Sequence, residues 1–169
     1  MRAELAALEL SAVELLRARR EELSPSAQRS LDRIAAQALA DVGRTDAALD
    51  AYDWLAKAYP DDGEIQEGYA RLLLSRPDRA SLEAALAKWR EVERKSRQGS
   101  NRWFRAKYAV ALVHDRSNHK EQAEKMIRLL AVLHPQPRLR DREATAQFAE
   151  LLDPPMRAAF FELLDRCGE

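Results

Sequence analysis

The chain repeats itself, and the repeat constrains the fold more than any other feature. Residues 26–60 align with 101–135 at an offset of 75, so that Ala48, Tyr52, Leu55, Ala56 and Pro60 fall on Ala123, Ile127, Leu130, Ala131 and Pro135. Ala35 and Ala38 fall on Val110 and Val113, and Gly43 falls on Asn118. Glycine and asparagine most readily take the left-handed conformation that closes a helix, so both mark the same turn between two helices. A middle copy fits between these two. Its first helix lies 34 residues after that of the first copy and maps Leu31, Ala35, Ala36, Ala38 and Leu39 onto Ile65, Tyr69, Ala70, Leu72 and Leu73. Its second helix lies 37 residues on and maps Ala48, Leu49, Tyr52 and Leu55 onto Ala85, Leu86, Trp89 and Val92. The insertions fall in the turn SRPDRAS and in the stretch SRQGSN.

The segment DAALDAYDWLAKAYPDD, Asp46 to Asp62, shows how one unit is punctuated. Ala48, Leu49, Tyr52, Leu55, Ala56 and Tyr59 step at helical spacing along one stripe, with Asp46, Asp50, Asp53 and Lys57 on the other faces. Pro60 lacks an N–H and clashes with the preceding turn, so the helix must stop there, and Tyr59 is pushed toward an extended conformation. Asp61 or Asp62 then caps the next helix by accepting from free backbone N–H groups.

The same reading divides the chain into an N-terminal helix (1–25), three repeats (26–60, 61–99 and 100–135) and a C-terminal capping hairpin (136–169), together one domain. The first helix, over Arg2 to Glu22, is expected to bury the stripe Leu5, Leu8, Ala12, Leu15 and Leu16. In the last hairpin Met156, Phe160, Leu163 and Leu164 form the closing stripe, as a terminal repeat with an atypical outer face requires.

Composition supports helices throughout. Five glycines and seven prolines in 169 residues are few, and Ala, Leu, Glu and Arg dominate. The 28 basic and 28 acidic residues cancel, which removes long-range attraction to nucleic acid or an anionic membrane and favours self-association as a homo-oligomer. The charges are unevenly spread: residues 41–67 hold two basic and eight acidic side chains, residues 68–107 eleven and four. A single cysteine, Cys167, forms no internal disulfide. No apolar run spans a bilayer, and glutamates interrupt the N-terminus where a signal peptide would be continuously apolar, so a cytoplasmic protein is expected.

A 34-residue unit of paired helices, with Ala48 near the start of the second helix, Tyr52 four residues on and Pro60 eight after that, resembles the tetratricopeptide repeat family. The resemblance spans residues 26–135. The family's Trp and Gly of the first helix are absent, and Ala36, Ala70 and Ala111 stand where the Gly would be. It implies an all-α fold, a right-handed α-α superhelix of stacked antiparallel helix pairs with terminal capping helices. It also implies a non-catalytic scaffold that binds a segment of a partner protein in an inner groove lined by the first helix of each pair. On the positions the family uses, the residues expected to touch a partner are Arg33, Gln37, Arg71, Arg105 and Tyr108. Guanidinium groups pair bidentately with carboxylates, which suits an acidic protein or peptide, and tyrosine offers flat contact area with a polar tip. Arg33 and Gln37 are chemically similar to the first pair of the family's clamp for a terminal carboxylate. Glu64 and Glu67 oppose such an anion, and the clamp's asparagines are missing.

Two other readings compete. The chain can be a structural or oligomerising segment of a larger protein, or a nucleic-acid-binding repeat. For the latter, KWREVERKSRQGSNRWFRAK, Lys88 to Lys107, interleaves eight basic residues with Trp89, Trp103 and Phe104. Against it, Trp89 falls on its helix's core stripe and Phe104 starts the next helix, leaving Trp103 the freer ring. No catalytic residue, metal site or cofactor is expected. His114, His119 and His134 sit in no metal-ligand motif, and no glycine-rich phosphate loop or nucleophile elbow occurs.

Overall fold

A computed structural model describes residues 2–133, and every regular element among them is a helix. The hairpin expected over 136–169 lies outside the described residues. The helices are α1 (Arg2–Arg17), α2 (Pro25–Asp41), α3 (Thr45–Ala58), α4 (Gly63–Ser75), α5 (Arg79–Lys95), α6 (Asn101–Arg116) and α7 (Lys120–Leu133). None is long and apolar enough to cross a membrane. The chain divides into two compact units, residues 1–88 and 89–169, with the division inside α5.

In the first unit each helix packs on the next, α1 on α2, α2 on α3 and α3 on α4, and α2 also touches α4. The last contact matters most, because it sets the first helices of two successive pairs side by side, as in a helical repeat solenoid. The stops and starts follow the sequence. Ser24 caps α2 by accepting from the Ala27 N–H at 3.3 Å, and Pro25 occupies the first helical position, where its missing N–H costs nothing. Gly43 closes α2 at φ 81°. Tyr59 leaves α3 at φ −129° before Pro60, and of the two aspartates it is Asp62 that caps α4, accepting from Glu64 and Ile65 at 3.1 and 3.2 Å.

The core of this unit is the stripe read from the repeat: Ala48, Tyr52, Leu55 and Ala56 of α3 pack with Ala36 of α2 and with Ile65 and Leu72 of α4. Ala36 and Ala70, standing where the family has glycine, are fully buried, so a methyl group is small enough for the close approach these positions require. Gln66 ties the end of α3 to α4. Its amide donates to the carbonyls of Ala56 and Tyr59 at 2.9 and 3.1 Å, and its oxygen accepts from Lys88 Nζ at 3.1 Å, so the buried amide is satisfied at both ends.

Helix α1 departs from expectation. It ends at Arg17, with a single 3-10 turn over Arg20–Glu22 completing the stretch. Its buried residues are Ala6 and Val13, the latter packed with Leu31 and Ala35 of α2, whereas Leu5, Leu8, Leu15 and Leu16 are exposed. The helix carries two apolar stripes, and α2 meets the one with fewer leucines. Arg20 anchors the following turn by a bidentate pair with Asp32 of α2.

In the second unit α6 packs on α7. Ser100 caps α6 through the Trp103 N–H at 3.3 Å, and Asn118 closes it at φ 63°, the left-handed turn that its alignment with Gly43 requires. Burial on α6 extends nearly all round the helix: Trp103, Phe104, Ala106, Tyr108 to Val113 and His114 are all buried. Ala123 and Ile127 of α7, the equivalents of Ala48 and Tyr52, are buried as expected.

Candidate functional site

The outward face shared by α2 and α4 is built around Tyr52. This residue belongs to α3, but its ring runs between the other two helices, and its hydroxyl donates to Gln37 Oε1 on α2 at 3.1 Å. The ring is 2 % exposed and passes so close to α4 that a Cβ placed on Gly68 would lie 2.7 Å from both Tyr52 Cε1 and Oη. Burial pushes the Tyr52 hydroxyl above its ordinary value, the positive fields of Arg71 and Arg33 pull it back, and Asp41 raises it. The phenol thus lies within the field of three charged groups and holds Gln37 from below.

Around it, part-exposed Arg33 and exposed Gln37 of α2 lie beside Glu64 and Arg71 of α4, and Ile34 is exposed on α2 next to them in sequence. Arg33 reaches across to Glu64 at 3.3 Å, and Arg71 pairs with Glu67 one turn back at 3.8 Å. Both side chains stay part-exposed, Arg33 at 35 % and Arg71 at 46 %. Partly exposed pairs of this kind contribute little net stability, so a carboxylate from outside can displace Glu64 at small cost. The glutamates expected to repel an anion are the partners that hold the arginines in place.

The predicted site residues do not share one environment. Arg33, Gln37 and Arg71 lie together on this face. Arg105 is half-buried on α6, in the other unit. Tyr108 is 1 % exposed, so its ring is a core element and offers no contact surface. The repeat explains why the extrapolation fails: Arg33, Glu67 and Tyr108 occupy equivalent positions, and only the first of them is not buried. Ile34, 40 % exposed between Arg33 and Gln37, is the residue sequence reasoning passed over. Its signal was an aliphatic side chain lying opposite Ala36 on the helix.

A comparison with protein families supports the resemblance over part of the chain. Residues 29–72 match the family model of the tetratricopeptide repeat. No curated protein and no solved structure matches the chain. The tetratricopeptide match runs from Arg29 through α3 to Leu72, so it contains Arg33, Gln37, Tyr52, Gly68 and Arg71.

The basic stretch Lys88 to Lys107 has a different character from the one its composition suggests. Trp89, Trp103 and Phe104 are all buried, Trp103 against Phe104 edge-on at 5.0 Å, which corrects the expectation that Trp103 is free. None of the three presents a face on which a base could stack. Among the described residues no cluster of His, Cys, Asp or Glu could hold a metal ion.

Proposed function

We propose that the protein is a non-catalytic, cytoplasmic interaction scaffold that binds an acidic segment of a partner protein on the α2/α4 face, through Arg33, Gln37 and Arg71, with Ile34 as the apolar contact. The observation that carries this reading is the tetratricopeptide repeat match over residues 29–72, in which two part-exposed arginines and a tyrosine-anchored amide gather around Tyr52. Rigid packed helices hold these groups in place beforehand, so little ordering entropy is lost when a segment docks. Arg105, at the repeat position of Ser30 and Glu64 and in the other unit, is a separate candidate contact for a partner, and Tyr108 leaves the proposal.

The test is selection of peptides from a displayed random library against the full chain, followed by binding to Arg33→Glu with Arg71→Glu. Acidic peptides that lose at least about tenfold in affinity support the reading. Absence of enriched peptides, or enriched peptides indifferent to both charge reversals, overturns it.

A further inference from the structure

Helix α1 presents an apolar stripe that nothing among the described residues covers. Leu5, Leu8, Leu15 and Leu16 are 59 %, 68 %, 76 % and 46 % exposed, and Ala12 between them is exposed as well. The buried face of the same helix, Ala6 and Val13, the latter packed on α2, lies about a third of a turn away by the 3.6-residue period. So many leucines on one side of a 16-residue helix exceed what a solvated surface scatters singly.

The spacing of the stripe identifies the occupant. Positions 5, 8, 12 and 15 advance by three, four and three residues, the step of a coiled-coil seam, and the series reads the same from either end. Turned about a two-fold axis near residue 10, a second α1 sets its Leu15 opposite Leu5 and its Ala12 opposite Leu8. Every layer then holds a leucine, and the central ones match large against small. A parallel pair would instead face Ala12 with Ala12 and leave a gap in mid-seam. The antiparallel arrangement also opposes the two helix dipoles. Formal net charge is zero, so no long-range repulsion separates the copies.

We infer that α1 is a dimerisation helix, pairing antiparallel with α1 of a second copy through Leu5, Leu8, Ala12 and Leu15. This holds whether or not the α2/α4 face binds a partner. Two helices of this length bury on the order of 1,000 Å² in total, the lower bound for a specific interface, which suits a weak and reversible dimer.

Sedimentation velocity of the full chain over about 1 to 100 μM tests this, with circular dichroism as the control for folding. The expected result is a monomer–dimer equilibrium that Leu8→Glu with Leu15→Glu weakens at least tenfold at unchanged helical signal. A monomer at every concentration overturns the inference, as does a dimer indifferent to both substitutions. Loss of helix in the double variant also overturns it, because the stripe would then be covered by the chain itself, residues 134–169 included. Orientation is read from a mixture of Leu5→Cys and Leu15→Cys chains, each carrying Cys167→Ser and distinguished by mass. Disulfides joining unlike chains are expected, and disulfides joining like chains exclude the antiparallel pair.

Discussion

Gly68 and Tyr52 are fitted to each other: the glycine on α4 leaves the space through which the tyrosine ring of α3 reaches Gln37 on α2. Adding a methyl at Gly68 gains about 1 kcal/mol of helix propensity but sets a carbon 2.7 Å from the ring of a side chain that is almost completely buried. The ring cannot swing away without vacating the core, so overpacking wins. Gly68→Ala should destabilise the first unit by about 1–2 kcal/mol in urea unfolding. In a Tyr52→Leu background the same change should be neutral or stabilising, which separates this clash from any general cost at position 68.

The Tyr52 hydroxyl has a second consequence. Tyr52→Phe removes the donor to Gln37 and should cost about 1 kcal/mol, leaving the ring packing intact. Burial raises the folded pKa of Tyr52 above its ordinary value of 10, so the stability it supplies is full below pH 10 and falls as pH rises beyond that. Unfolding between pH 9 and 11 should therefore be less steep in pH for Tyr52→Phe than for the unsubstituted chain. Tyr69, also raised by burial and by Asp53, contributes a parallel slope that the substitution leaves in place.

Asp62 serves the α4 start twice, accepting from two backbone N–H groups and pairing with Arg29 at 3.4 Å. Asp62→Ala should lower stability by about 1 kcal/mol, and Asp62→Asn, which keeps a capping oxygen without the charge, by less. Thermal unfolding of the two variants distinguishes the cap from a general effect of acidic charge at the helix start.

His114 gives the second unit an acid sensitivity. Its ring is buried, Nε2 has no hydrogen-bond partner among the described residues, and burial first, then Arg90 and His119, hold its pKa below the ordinary 6.5. The unfolded chain therefore binds the proton more readily, and stability is present above about pH 6.5 and declines as pH falls through that value. Trp89 and Trp103 are buried in the same unit, so in a Trp54→Phe background the tryptophan emission reports its unfolding. Urea midpoints read from that emission should drop between pH 7 and 5, and His114→Leu should flatten the drop.

Those elements that depend on neighbours in sequence were legible before any coordinates. Pro60, Asp62, Gly43 and Asn118 act within one turn of where they stand, so residue type alone placed the stops, the cap and both left-handed turns. The stripe Ala48, Tyr52, Leu55 and Ala56 was legible because one face of α3 is much more apolar than the rest. Helix α1 was misread because it has two stripes, and which one is buried depends on where α2 lies, not on which is greasier. Tyr108 and Trp103 were misplaced for a related reason. A repeat fixes the register of a position, but burial at that register is decided by what packs there, and α6 is surrounded where α2 is not. Of the candidate face, the arginines followed from the repeat pattern; the Tyr52 bond to Gln37 and the opening at Gly68 arise from side chains crossing between helices.

The most direct test of binding on the α2/α4 face is a titration of the isotope-labelled full chain with a library-selected acidic peptide, followed through its backbone amide resonances. Shifts should concentrate in residues 30–41 and 64–75, and the Gln37 side-chain amide should move with them. Shifts confined to other helices, or a spectrum unchanged at saturating peptide, would contradict the assignment of that face as the docking surface.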